Sequence, residues 1–173
     1  IVTTTYNGEK YLEESIGSML SQTFNNFEYI IVDDGSTDNT LKKLQQMDDP
    51  RIRIIQQKNQ GQTKALITGM EQAQGELIAR IDQDDYSLST RLMRQVEIMD
   101  THPEVILCGS RFQELYYDKL TPQRVRFAQT NVEIIKIISR FNPLAHSAIM
   151  FRRDAYFKVG GYDKKFAIGM DYD

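Results

Sequence analysis

Two short acidic segments hold most of the residue types that could do chemistry in this sequence: Asp33-Asp34-Gly35-Ser36-Thr37-Asp38 and Asp82-Gln83-Asp84-Asp85. A helix start needs one capping Asp, and crowding further carboxylates into a turn adds repulsion unless a cation or ligand offsets it. Mg²⁺ and Mn²⁺ fit that need, because they take one or two carboxylates together with phosphate oxygens to complete an octahedral oxygen shell. In an Asp-x-Asp spacing one carboxylate can meet the metal while its neighbour hydrogen-bonds a ribose hydroxyl. The implied ligand is a nucleoside diphosphate with a divalent metal. Taken alone, each segment also reads as a solvated turn of ordinary Asp, Gly and Ser residues. A shared site requires both to face one crevice.

The surrounding pattern predicts that they do. Ile1 to Thr5 is strand-like, Asn7-Gly8 breaks it, and Leu12, Ile16, Met19 and Leu20 recur at helical spacing to about Thr23. Phe27 to Val32 lacks polar alternation beyond Glu28, as in a strand covered on both faces, and leads into Asp33; a short helix with Leu41, Leu44 and Met47 follows. Arg51 to Gln56 alternates as a strand. Gln62 to Gln74 carries Leu66, Met70 and Ala73 on one stripe, with Gly75 as its expected C-terminal cap. Leu77 to Ile81 reads as a buried strand running into Asp82. Ser89 to Met99 is helical through Leu92, Val96 and Met99, stops near His102-Pro103 and gives way to a strand from Val105 to Cys108. Arg111 to Phe127 mixes Phe112, Tyr116 and Tyr117 with charges, as in an edge strand or loop. Val132, Ile135 and Ile138 mark a helix, Ser147 to Phe151 a strand, and Arg153 to Val159 a helix closed by Gly160-Gly161. Alternating strands and helices predict an α/β domain with a mainly parallel central sheet flanked by helices. Such sheets bind ligands at the carboxyl ends of their strands, where helix N-termini also point, and both acidic segments fall there.

Composition narrows the function classes. With 40% hydrophobic and 26% charged residues, the 173-residue chain reads as one globular domain. A net charge of -3 gives no footprint for nucleic acid. Cys108 is the lone cysteine, so no internal disulfide can form; it reads as a buried thiol in a reducing, cytoplasmic compartment. No run approaches the ~20 apolar residues of a transmembrane helix, and the opening residues do not form a signal peptide. No Ser or Cys sits in a strand-turn-helix elbow, and two histidines make no metal-binding cluster. The sequence opens inside a β-branched run without a methionine and ends at Met170-Asp171-Tyr172-Asp173, so a trimmed part of a longer chain is expected.

Several further segments carry a resemblance. Thr4-Thr5-Tyr6-Asn7-Gly8, Ser21-Gln22-Thr23-Phe24 and Ile31 to Asp38 come first; Gly75 to Asp85, Asn142 to Arg152 and Gly160-Gly161-Tyr162-Asp163 follow. In this order the set resembles the family 2 glycosyltransferases of GT-A fold, and it covers essentially the whole chain. The resemblance implies inverting transfer of a sugar from a nucleoside diphosphate sugar, UDP-linked by expectation, to an acceptor hydroxyl, with Mn²⁺ or Mg²⁺. It implies that Thr4 and Tyr6 line the base pocket, Asp34 bonds the uracil edge, Asp82 lies by the ribose, and Asp84 binds the metal. By the same likeness Asp171 is the catalytic base, residues 1–110 form the nucleotide-sugar part and the acceptor side begins at about 111. Acceptors of this kind are glycans or lipid-linked glycans. A role in polysaccharide or glycoconjugate synthesis is implied, in the cytoplasm or peripherally at the inner membrane face.

Departures from the pattern are Met170, where a Glu usually precedes the base, and Ile67, where Asn is common. Tyr6 fits a packing aromatic equally well. Lys64 could reach a phosphate but suits a solvated helix position, His146 suits a structural hydrogen bond, and Arg152-Arg153 suits a solvated helix start. A sugar nucleotidyltransferase would need a Gly-rich, basic phosphate loop after the first strand, and Tyr6-Asn7-Gly8-Glu9 does not supply one. A domain that binds a nucleotide sugar or a partner without turnover is the remaining alternative.

Overall fold

A computed structural model describes residues 1–116, 119–121 and 128–166. Its elements run in the order β1 (Val2–Thr5), α1 (Leu12–Leu20), β2 (Tyr29–Asp33), α2 (Thr40–Gln45), β3 (Ile52–Gln56), α3 (Gln62–Gln72), β4 (Leu77–Ala79) and α4 (Arg91–Thr101). Then come β5 (Leu107–Gly109), a small ribbon of β6 (Leu115–Tyr116) and β7 (Lys119–Leu120), α5 (Asn131–Ile138), β8 (Ile149–Arg152) and α6 (Arg153–Lys158).

β1, β2 and β3 pair in parallel, while β8 lies antiparallel between β4 and β5. A parallel bridge from Val2 to Arg80 joins the two sets, giving the order β3-β2-β1-β4-β8-β5. Only β8 runs against the rest, so the sheet is mainly parallel, as the alternation of strands and helices requires. The carboxyl ends of β1, β2 and β4 share one edge.

The period of two along each strand divides the core between the sheet's faces. Tyr29 and Ile31 pack with Leu12, Ile16 and Met19 of α1, Leu44 of α2, and Leu92 and Met99 of α4. Val2, Ile30 and Val32 pack on the other face with Ala65, Leu66 and Met70 of α3. β2 is buried at every position, which is why its sequence shows no polar alternation.

Several boundaries differ from expectation. Gly75 does not cap α3: the helix stops at Gln72 and Ala73 turns extended at φ -69°, ψ 135°. Glu28 takes over instead, accepting from the backbone N–H groups of Gln74 (2.6 Å) and Gly75 (3.2 Å). Residues His146–Ala148 form a 3-10 turn, so β8 begins at Ile149 and not at Ser147. Cys108 is half-buried in β5 rather than fully enclosed. α5 forms behind a capping box of Thr130 and Glu133, yet its apolar Val132 and Ile135 are exposed.

Candidate active site

The loops after β1 and β2 are fastened to each other by side chains. Asn7, at φ 50°, accepts from the backbone N–H of Thr37 (2.8 Å) and donates its own N–H to the Ser36 hydroxyl (3.0 Å). Gly8 donates to the Thr40 hydroxyl at 2.8 Å, which ties the same loop to α2. Gly35, at φ +76°, has backbone of Asn59 so close that a Cβ would lie 2.7 Å from its nitrogen, so no other residue fits that turn.

Both aspartates at the end of β2 are buried. Asp33 accepts from the Ser36 N–H at 3.3 Å, and its Oδ2 is buried without a hydrogen-bond partner among the described residues. Asp34 is better satisfied. Its Oδ1 accepts from Gln57 Nε2 (2.7 Å) and the Gln60 N–H (3.0 Å), and its Oδ2 from the Gly61 N–H (2.8 Å). The carboxylate therefore pins the turn between β3 and α3, where Gly61 adopts φ +91°.

The next residue in that turn reaches the second acidic segment: Gln62 Nε2 lies 3.4 Å from Asp82 Oδ1. One helix start thus touches Asp34 and Asp82, and the two acidic turns border one crevice. Gln83 fastens the second segment to β1, its Oε1 accepting from the Thr5 hydroxyl (2.5 Å) and the Tyr6 N–H (3.1 Å). The Ser15 hydroxyl donates to the Asp82 carbonyl at 2.9 Å.

Behind the cluster sit two buried arginines. Arg80 has no exposed side-chain surface and pairs through Nη1 with Asp82 Oδ1 at 2.8 Å. Arg91 donates to the carbonyls of Arg80 (2.6 Å) and Ile149 (3.2 Å), and burial lowers its guanidinium pKa to about 10. Asp85 carries a carboxyl pushed above the ordinary range, first by partial burial and then by the charges of Asp82 and Asp84, with the nearby Ser147 side chain and Arg80 acting the other way. Asp84 is exposed, and its carboxylate makes no hydrogen bond among the described residues.

Among the described residues no three His, Cys, Asp or Glu side chains converge as a self-sufficient metal cage. Mg²⁺ and Mn²⁺ need only one or two protein carboxylates, because they keep positions for substrate phosphate. Neither Asp84 carboxylate oxygen accepts a hydrogen bond among the described residues.

Of the residues singled out from sequence, Thr4, Tyr6, Asp34, Asp82 and Asp84 all lie along this edge. Thr4 is buried at the end of β1, whereas Tyr6 is 45% exposed, which removes its reading as a core aromatic. Lys64 is exposed on α3. Arg152 is not a solvated arginine: Nε donates to the Val105 carbonyl (2.9 Å) and Nη2 to the Met99 carbonyl (2.7 Å), joining β8 to the end of α4. Arg153 lies over the Phe157 ring at 4.9 Å. Met170 and Asp171 lie outside the described residues.

The sequence reading gave no role to Gln57, Gln62 and Gln83, whose amides do the joining. It also passed over Arg80, although a charge inside the apolar run from Leu77 to Ile81 was itself a signal, since a buried arginine demands a partner.

The strand order and the acidic edge define a GT-A glycosyltransferase fold, and solved structures agree. The Staphylococcus aureus TarS fragment 1-349 in complex with UDP-GlcNAc superposes with TM-score 0.77 at 24% identity, over 94% of this chain and 47% of that one. Mannosyltransferase PcManGT from Pyrobaculum calidifontis, in complex with GDP-Man and Mn²⁺, gives TM-score 0.70 at 17% identity over 94% of this chain and 46% of that one. Residues 1–160 match the family described as Glycosyl transferase family 2, and the chain belongs to that family. It is 32% identical over 168 residues to the amylovoran biosynthesis glycosyltransferase AmsE of Erwinia amylovora, covering 94% of this chain and 62% of that protein. The chain spans about three fifths of the length of the curated relatives it matches first.

Proposed function

We propose that the full-length protein is an inverting glycosyltransferase that moves a sugar from a UDP-sugar to a hydroxyl of a glycan or lipid-linked glycan acceptor, in polysaccharide or glycoconjugate synthesis. The observation that carries this reading is the start of α3, which contacts Asp34 through the Gly61 N–H and Asp82 through Gln62. Carboxylates from two strand ends then border one crevice, the arrangement expected for a nucleotide held through a cation. UDP-GlcNAc in TarS and GDP-Man with Mn²⁺ in PcManGT support the donor class and the metal.

In this reading residues 1–110 hold the donor and the acceptor side begins at about 111. Thr4 and Tyr6 flank the base, with Tyr6 supplying an exposed ring beside the loop that Gln83 braces. Asp34 offers a remaining lone pair to the uracil edge while its bonds to the loop keep it fixed. Asp82 turns to the ribose, its Oδ1 already taken by Arg80 and Gln62. Asp84 would hold the metal. A bound Mn²⁺ or Mg²⁺ supplies positive charge against the departing diphosphate.

Asp171 is the proposed base, accepting the acceptor hydroxyl proton as that oxygen attacks the anomeric carbon from the face opposite the diphosphate. A carboxylate suffices because the proton leaves only as the new bond forms. Phe166, five residues before Asp171 in the sequence, lies at the start of α3, where the Thr63 hydroxyl donates to its carbonyl at 2.5 Å. Met170 leaves Asp171 without the acidic neighbour usual in the family. No helix among the described residues is long and apolar enough to cross a membrane; a cytoplasmic site of action, with peripheral contact at the inner membrane face, belongs to this proposal.

The test is thermal unfolding with UDP in Mn²⁺ and in EDTA. A ligand at a hundred times its Kd stabilises the folded state by about 2.7 kcal/mol, so UDP should raise Tm clearly more with Mn²⁺, and Asp84→Ala should remove that difference. Equal shifts in both conditions would sink the metal assignment. Single-turnover assays over a panel of nucleotide sugars then identify the donor. Asp171→Asn should keep donor binding and lose transfer.

A further inference from the structure

Arg80 is buried and has more donors than Asp82 can occupy. Its Nε has no hydrogen-bond partner among the described residues, and its Nη2 lies 3.3 Å from Nδ1 of His146, which enters from the turn before β8. A guanidinium has no lone pair to offer, so the imidazole nitrogen facing it must be the acceptor. That fixes the ring as the neutral tautomer with its proton on Nε2. The Nε2–H then donates to the Tyr162 hydroxyl at 2.7 Å. The two rings also meet edge to face, centroids 5.7 Å apart at 88°, which sets the plane of the imidazole.

The chain of contacts runs from Tyr162, through His146 and Arg80, to Asp82 Oδ1. With Arg80 and Gln62 both on Oδ1, Asp82 Oδ2 carries no hydrogen bond among the described residues.

We propose that His146, as the neutral Nε2–H tautomer, is a positioning residue of the donor site: it holds Arg80 so that Asp82 presents Oδ2 to a ribose hydroxyl, and it links that geometry to Tyr162. This rests on the assignment of Asp82 to the ribose. His146 touches no substrate atom in this scheme and acts only through Arg80. Without an acceptor at Nδ1, Arg80 has two buried nitrogens to satisfy while Nη1 stays paired with Asp82, so the guanidinium shifts and the carboxylate loses its orientation.

Two measurements on the full-length protein decide it. The first needs no ligand: ¹⁵N-histidine NMR should give His146 the shifts of an Nε2–H tautomer, and an Nδ1–H or doubly protonated ring at neutral pH overturns the proposal. The second compares Kd for UDP, 2′-deoxy-UDP and 3′-deoxy-UDP in Mn²⁺. Wild type should bind one deoxy analogue about tenfold more weakly than UDP, as expected for a lost hydrogen bond to a charged group, and Asp82→Ala should erase that preference. His146→Leu should erase it too, whereas His146→Asn, whose amide oxygen can replace Nδ1, should restore most of it. A purely structural histidine would lower all three affinities alike and keep the preference, which overturns the proposal. If His146→Leu does not fold, the decision passes to His146→Gln, whose amide reaches the Nε2 position and leaves Arg80 unserved: a retained preference there overturns the idea. Should wild type bind no UDP at all, the donor assignment fails while the tautomer measurement still decides the Arg80 link.

Discussion

At the scale of single residues, the carboxylate of Asp34 braces the turn before α3, and in the proposed reading it also meets the nucleotide. Three protein donors converge on it. In Asp34→Asn the amide can keep an oxygen toward Gln57 and Gln60, but its NH₂ then faces the N–H of Gly61. One buried donor loses its acceptor, a change of about 1–3 kcal/mol. Urea unfolding should show a lower midpoint at unchanged slope, and UDP affinity should fall because the start of α3 is released. Unchanged stability would mean that the loop holds itself. Tyr162 gives a prediction of a different sign. Burial raises its phenol from the ordinary 10.0 to about 12, with Arg80 beside it acting the other way. Between these values the unfolded chain gives up the proton and the folded chain keeps it, so rising pH lowers stability there, while below 10 the contribution is fully present. The stability of the wild type relative to Tyr162→Phe should be level below pH 10 and decline from there toward 12, as read by urea unfolding across that range. A level difference up to pH 12 would mean that the phenol ionises as it does in water.

At the scale of elements, α3 carries the site because it lies against the middle of the sheet. Gly69 allows that approach: a Cβ there would stand 2.6 Å from Val2 Cγ1 and 3.3 Å from Val32 Cγ2. Alanine is the better helix former by about 1 kcal/mol, but both valines are fully buried in strands and cannot step aside. Overpacking of this kind costs about 1–3 kcal/mol, so Gly69→Ala should be destabilising in denaturant titrations despite the gain in propensity. A stabilised variant would mean that α3 can slide outward. The same element marks how far the sequence could be read. Its apolar stripe and its start at Gln62 follow from spacing alone, as does the fully buried β2. Its end does not, because Glu28, remote in sequence, satisfies the backbone where Gly75 was expected to serve. The acidic turns were legible because carboxylates cluster for few reasons. The amides of Gln57, Gln62 and Gln83 were not, since glutamine has no chemical signature and its partners here are far along the chain. The exposed stripe of α5 was misleading in the other direction, because periodicity reports an apolar face without saying that anything described here covers it.

At the scale of the whole molecule, the crevice lies across a seam. β1 meets β4 through the Val2 to Arg80 bridge, reinforced by the Thr3 hydroxyl on the Ile81 carbonyl (3.0 Å), Ser15 on the Asp82 carbonyl and Thr5 on Gln83. Side chains, more than a backbone ladder, hold the two halves of the sheet together along this edge. Amide exchange should follow that division. Ile30, Ile31 and Val32, buried between β1 and β3, should exchange most slowly, and Leu115 and Leu120 in the exposed β6–β7 ribbon should exchange fast. Adding UDP with Mn²⁺ should then protect residues 6–8, 34–36 and 60–62 on one side of the seam and 82–85 on the other, in the same titration and with the same midpoint. A ligand spanning both strand ends must stabilise them together, because opening either half releases it. Protection confined to one side would place the nucleotide on that half alone and would separate the metal carboxylate from the base pocket.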